Sequence, residues 1–176
     1  GHSYSVVAVA VCSKTGRIVM GSLDNTARVW MPEEGGSDSY KLIQVQVVHN
    51  DYLRAVAVCS STGHIVTGSC DKTARVWKPE EGKESFKLIQ ALDGHIHVVD
   101  AVAVCSRTGQ LVTGSYDNTA RVWKPEEGKE SYKLIKVLEG HSDYISDVAV
   151  CSRTGYIVTA SDDKTARVWK GDEVGE

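Results

Sequence analysis

Histidine and aspartate recur in this chain in the ratio and spacing from which acid–base chemistry is often built. His2, His49, His95 and His141 each stand 28 residues before a tryptophan. Asp24, Asp71, Asp117 and Asp163 each stand six residues before the same Trp30, Trp77, Trp123 and Trp169. A histidine oriented by an aspartate activates the hydroxyl nucleophile of many hydrolases. A second constellation, His95-Ile96-His97, has a spacing that offers two imidazoles to a metal from one strand, with Cys70 or His64 as conceivable further ligands. Both readings meet one objection. A catalytic or metal centre gathers unlike residues at one place, whereas these residues return in every copy, and His95 belongs to the repeating column. No phosphate-binding glycine loop, metalloprotease helix motif or nucleophile elbow accompanies them. The expectation is a chain that is not an enzyme and that has neither metal nor cofactor.

The tryptophans lie 47, 46 and 46 residues apart, and each ends one phrase, as in Asp117-Asn-Thr-Ala-Arg-Val-Trp123. A repeat this regular decides the architecture before any single residue does. In the third copy, Ala101–Cys105 is a short alternating run closed by the turn Ser106–Gly109. Leu111–Gly114, Thr119–Trp123 and Tyr132–Leu138 follow, parted by turns at Asp117-Asn118 and Lys124–Gly128. Short β-branched runs between Gly, Pro and Asp turns predict four antiparallel strands per unit, and no segment has a helical period. The small residues of the first run suit a place where several sheets converge. The last copy stops in Lys170–Glu176 without a fourth run.

At 176 residues the chain can bury a normal core, and its formal charge of −3 offers no electrostatic footprint for nucleic acid or an anionic membrane. No apolar run approaches the roughly 20 residues of a membrane span, and no signal-peptide pattern opens the sequence. Cys12, Cys59, Cys105 and Cys151 share one repeat column, with Cys70 apart. Equivalent sites on successive units do not meet at disulfide distance, so four small buried core residues in a reducing, cytoplasmic compartment are expected.

The Gly-His pair, the Asp six residues before Trp and the four-strand rhythm resemble the WD-repeat family of β-propellers over essentially the whole chain. The dipeptide that names that family is absent, since Met31, Lys78, Lys124 or Lys170 follows the tryptophan. The resemblance implies an all-β propeller of four blades, at about residues 2–47, 49–92, 95–138 and 141–170, with 171–176 as a tail. It also implies a hydrogen-bonded stack within each blade. His49, Thr67, Asp71 and Trp77 would form one, His95, Thr113, Asp117 and Trp123 another, and His141, Thr159, Asp163 and Trp169 a third. The first blade keeps His2, Asp24 and Trp30 but has Met20 in place of Thr, so its stack should be incomplete. Repetition of the His-Asp-Thr set favours structural use over a hydrolase triad, because buried polar groups must be satisfied.

The copies can be compared with one another. Between Cys59–Leu92 and Cys105–Leu138, 26 of 34 positions are identical, which suggests recent amplification or consensus engineering. Three columns vary instead. They are Ser5, Tyr52, Val98 and Tyr144; Val7, Arg54, Asp100 and Ser146; and Leu23, Cys70, Tyr116 and Asp162. In the family these columns ring the top face, where proteins and peptides bind. A constant frame with a varied rim suits recognition. Asp51, Asp100, Asp143, Asp147 and Asp162 outnumber Arg54 and His97 there, and Tyr4, Tyr52, Tyr116 and Tyr144 add contact area, which favours a cationic peptide over nucleic acid. WD-repeat rings usually have seven or eight blades, so four would span roughly half a circle. Two chains joined head to tail, as a homodimer of half-propellers, would complete an eight-bladed ring. The alternatives are a structural or engineered module without a ligand, or a segment of a longer WD-repeat sensor array.

Overall fold

Alternation of small and β-branched residues between tight turns produces fifteen strands and no helix among the described residues. The computed structural model describes residues 1–33 and 39–171, without the side chain of Val47. Most of the Gly35–Ser39 loop, expected to hold the one extra residue, and residues 172–176 of the tail lie outside them. The first blade contains β1 (Val6–Val11), β2 (Ile18–Ser22), β3 (Thr26–Pro32) and β4 (Tyr40–Val47). The second contains β5 (Leu53–Val58), β6 (Ile65–Ser69), β7 (Ala74–Pro79) and β8 (Phe86–Leu92). The third contains β9 (Val99–Val104), β10 (Leu111–Ser115), β11 (Ala120–Pro125) and β12 (Tyr132–Leu138). The fourth has β13 (Ile145–Val150), β14 (Ile157–Ser161) and β15 (Ala166–Trp169). Each sheet is an antiparallel meander in chain order, and the fourth has three described strands, as expected.

Two irregularities recur in the register. Each innermost strand carries a bulge at the residue two places into it, so that Val7, Arg54, Asp100 and Ser146 have no partner on the neighbouring strand. A bulge re-aims its side chain and sharpens the local twist. The outermost strands carry a second bulge, at Ile43, Ile89 and Ile135.

The core lies between blades rather than within them. Val19, Ala27, Val29 and Val48 of the first blade meet Leu53, Val56, Ile65, Trp77 and Phe86 of the second. The same columns meet again between the second and third blades and between the third and fourth. A glycine column makes this approach possible. A Cβ on Gly68 would lie 2.9 Å from the Val99 carbonyl oxygen and 3.0 Å from its Cγ1. On Gly114 it would lie 2.7 Å from Ile145 and 2.8 Å from Val148. In the fourth blade that position is Ala160.

The inner strands pack in sequence, β1 on β5, β5 on β9 and β9 on β13, which leaves the faces at the two ends of the array open. Val9 is 65% exposed where its counterpart Val56 is 9% exposed, and Val168 is 67% exposed where Val122 is 2% exposed. One expectation fails for the same reason. Cys12, Cys59 and Cys105 are buried, but Cys151 is exposed. Each of the first three is roofed by the turn of the following blade, through Ser13 on Ser60, Ser60 on Ser106 and Ser106 on Ser152. Among the described residues no following turn stands over Cys151.

Gly68→Ala should therefore destabilise the fold by about 1–3 kcal/mol in urea unfolding, because the methyl meets backbone rather than a movable side chain. An unchanged midpoint would mean that the blades slide apart at little cost.

Candidate functional site

Thr67, Thr113 and Thr159 stand at the third position of the second strand in blades two to four and are fully buried. Each must satisfy its hydroxyl, and each does so between an indole and an imidazole. Trp77 Nε1 donates to Thr67 Oγ1 at 3.1 Å, and His49 Nε2 lies 2.8 Å from the same oxygen. His49 Nδ1 faces Asp71 at 2.8 Å. The neutral tautomer with hydrogen on Nδ1 satisfies all of these contacts, so the hydroxyl donates to Nε2. In blade three Trp123, Thr113, His95 and Asp117 repeat the geometry at 3.1, 2.8 and 2.7 Å. In blade four Trp169, Thr159, His141 and Asp163 do so at 2.9, 2.7 and 2.7 Å. A hydroxyl enclosed by indole and imidazole has no approach for a substrate, which removes the hydrolase reading of these sets.

The aspartate is the hub. Asp71 also accepts from the hydroxyl and the N–H of Thr73, and its own N–H donates to Ser69 Oγ. Thr119 and Ser115 serve Asp117 in the same way, as do Thr165 and Ser161 for Asp163. Sequence reasoning missed these hydroxyls, although Thr26, Thr73, Thr119 and Thr165 are constant in the Asp-x-Thr phrase. In blade one His2 Nδ1 reaches Asp24 at 3.0 Å and Thr26 Oγ1 at 3.1 Å. Met20 offers no hydroxyl there, and His2 Nε2 and Trp30 Nε1 are buried without a hydrogen-bond partner. Both ring nitrogens of His95 are committed, so His95-Ile96-His97 cannot offer two free imidazoles.

This geometry sets the titration. Burial pushes the His49 imidazole below its ordinary value of 6.5 and outweighs the attraction of Asp71. For Asp71 and Asp117 burial opposes ionisation, but the hydrogen bonds from threonine and histidine together exceed it and hold the Asp71 carboxyl below the usual range and that of Asp117 well below it. Asp163 is lowered foremost by the Thr165 hydroxyl.

Residues 1–31, 40–78, 86–124 and 132–170 each match the family model described as WD domain, G-beta repeat. The chain belongs to the WD40 family. No curated protein matched it. Repeats of this family build propeller scaffolds for protein interaction, which directs attention to the rim.

A backbone hydrogen bond joins two of the three variable columns in every blade. Leu23 N–H donates to Ser5 C=O, Cys70 to Tyr52, Tyr116 to Val98 and Asp162 to Tyr144, at 2.9–3.0 Å. The third column, Val7, Arg54, Asp100 and Ser146, consists of the inner-strand bulge residues. Constant backbone thus holds side chains that vary. Within the rim, Arg54 Nε donates to Asp100 at 2.6 Å, and its Nη2 lies 3.5 Å from the Tyr116 hydroxyl. Tyr116 stacks on Tyr144 with centroids 4.5 Å apart at 11°, and His97 tilts against both. Blades two, three and four are therefore tied at the rim by one ion pair and one aromatic cluster. Ser5, Val7 and Leu23 of blade one stand outside it, and Ser146 makes one weak contact, to Ala160 C=O at 3.5 Å. Asp51 and Asp143 each accept from the next residue's N–H.

Two outcomes test the stacks. Met20→Thr should stabilise the chain by roughly 1 kcal/mol in chemical denaturation, by satisfying His2 and Trp30, while Thr113→Val should cost about 1–3 kcal/mol. A destabilised Met20→Thr variant would contradict this account of the first blade.

A third outcome concerns pH. Unfolded, His49 takes up a proton near its ordinary value, whereas in the fold it resists; unfolded aspartates do so near 3.8, whereas the folded ones resist. The unfolded state binds more protons in both windows, so stability falls as pH falls through each. The thermal midpoint should decline as the pH falls through about 6.5 and decline again as it falls through about 3.8. A midpoint rising on acidification would refute these assignments.

Proposed function

We propose that this chain is a non-enzymatic scaffold whose rim binds a protein or peptide, and that two copies close head to tail into an eight-bladed ring. The observation that carries the ring is the composition of the two open faces. Val158, Ala166 and Val168 repeat the columns of Val19, Ala27 and Val29, which are buried between blades one and two. Val6, Val9, Ile18, Trp30 and Tyr40 repeat the columns of Leu53, Val56, Ile65, Trp77 and Phe86, which cover them. Left in water, such faces are unfavourable at roughly 25 cal/mol per Å². Each is the counterpart of the other, so a two-fold pair would satisfy both. Ala160 and Asp147, standing where other blades have Gly and Ala, make this contact less close than the internal ones. That mismatch is the one feature favouring the alternative, a segment of a longer array.

For the rim we propose a cationic peptide ligand. The stacked Tyr116 and Tyr144 supply a rigid apolar surface, and Asp51, Asp143 and Asp162 supply acceptors around it. Asp100 contributes less negative potential than its charge suggests, because Arg54 neutralises it. Tyr52, Cys70, Val98 and Ser146, with Ser5, Val7 and Leu23, complete the proposed contact set. Five cysteines free of disulfides fit a cytoplasmic location.

Light scattering after size exclusion should give twice the 19.1 kDa of one chain, and Val168→Glu should return it to that mass. A monomer at every concentration would remove the ring. Lysine- and arginine-rich peptides should bind with micromolar affinity, and Asp162→Lys should weaken them about tenfold without changing the mass. Equal binding by that variant would remove the cationic ligand.

A further inference from the structure

Two successive bulges bring opposite charges together at the rim. Arg54 and Asp100 stand 46 residues apart in sequence. Each is the unpaired residue of its innermost strand, β5 or β9, whereas Val7 and Ser146 in the same column carry no charge. The bulges aim a guanidinium and a carboxylate of adjoining blades at one another, and Arg54 Nε donates to Asp100 Oδ1 at 2.6 Å. Arg54 Nη2 lies 3.5 Å from the Tyr116 hydroxyl, which is itself hydrogen-bonded to Asp100.

The contact is a cation seated in the acidic, tyrosine-lined part of the rim. The Asp100 side chain is 12% exposed, whereas Asp51 and Asp162 are open to solvent. A carboxylate so enclosed attracts a cation more strongly than one in open water. Burial and the negative charges of Asp100 and Asp162 push the Tyr116 phenol above its ordinary value, which keeps it neutral. Burial, Asp51 and Asp100 raise the Cys70 thiol as well, and Arg54 opposes the carboxylates at both groups. Arg54 is the only lysine or arginine in the three rim columns.

Arg54 is held at the edge of the solvent. Its side chain is 34% exposed, and an ion pair open to water gains little over its separately hydrated members. A long side chain fixed by two contacts also regains rotamer freedom on release. The frame does not depend on it. Val66, Val76, Val99 and Leu111 pack blade two on blade three, and the Tyr116 N–H donates to Val98 C=O, so Asp100 and Tyr116 keep their places without Arg54.

We infer that Arg54 is an internal occupant of the rim's cation site, and that an arginine of the bound peptide displaces it from Asp100 and Tyr116. This rests on the reading of the rim as a cationic-peptide surface, and adds which cation it takes and how the free rim holds itself closed. The seat suits a guanidinium. Arg54 meets carboxylate and phenol through two nitrogens of one plane, and the compact, strongly hydrated ammonium of lysine offers no such fork. Tyr144, stacked on Tyr116 and 42% exposed, extends the same surface for the remainder of the peptide. A peptide gains Asp100 only by releasing Arg54, so a cation that competes poorly leaves the seat filled from within.

The test measures binding of two labelled peptides to the full chain, one alternating glycine with arginine and the other alternating glycine with lysine. The wild-type chain should bind the arginine peptide roughly fivefold tighter than the lysine peptide. Arg54→Met empties the seat and should tighten the arginine peptide about tenfold. Arg54→Lys keeps the charge but not the fork, and should tighten it severalfold, whereas a mere change in the field of the rim would leave this variant at the wild-type affinity. Equal affinity for the two peptides, weaker binding by Arg54→Met, or wild-type affinity in Arg54→Lys would each overturn the inference and leave the cationic-peptide reading standing. No binding by the wild-type chain or either variant would remove both.

Discussion

Everything in this molecule depends on how near one blade can come to the next. Gly21, Gly68 and Gly114 carry no Cβ, and the inner strand of the following blade occupies the space that a Cβ would take. That approach lets one blade's valines reach the next blade's tryptophan and aromatic residue, so the core forms between sheets instead of inside them. It also gives the array a direction, since each blade has one face that receives and one that enters. A blade with a neighbour on only one side is left half covered, and the exposed valines of the first and last blades follow from that alone.

The hydrogen-bonded stacks act at right angles to this packing. Each ties the loop before a blade to its second strand, its turn and its third strand, through one buried threonine that serves two partners. Low-dielectric surroundings make such a network worth keeping whole and costly to leave incomplete. The rim rests on it directly. The turn aspartate held by the stack precedes the hairpin tip, and the residue before that aspartate donates its N–H to the rim loop in every blade. Variation at the rim is tolerated because backbone, and not the varying side chains, carries the frame.

Strand limits were legible to the residue in the outer strands, because Tyr40, Phe86 and Tyr132 follow turn signals. The stacks were legible through the spacing of His, Asp and Trp. The bulges were not, since the residue left over at Val7, Arg54, Asp100 and Ser146 is chemically different in each copy. Their variability marked them as rim residues without saying why they point there. The Arg54–Asp100 pair was also missed, although opposite charges occupy one column in successive copies. Nor did the sequence disclose that Gln44 and Gln90 grip the main chain at Phe86 and Tyr132 with both amide atoms. A side chain bonding to backbone leaves no covarying partner to notice.

The internal copies serve as one another's controls, and the fourth blade departs from the others on the face that no described blade covers. Where internal blades keep Gly, the face of the fourth blade that meets no further described blade has Ala160. Where they keep Ala, it has Asp147. The inner-face positions of the same blade, Ile145, Val148 and Ile157, have stayed apolar because the third blade covers them. Any partner covering that face must accept a methyl group where a backbone would otherwise lie and a carboxylate where a methyl would otherwise lie. Both lower its fit relative to the internal contacts, which also have the chain connection to hold them. Association there would accordingly be weaker than blade-to-blade packing and governed by concentration, whereas the array itself is not.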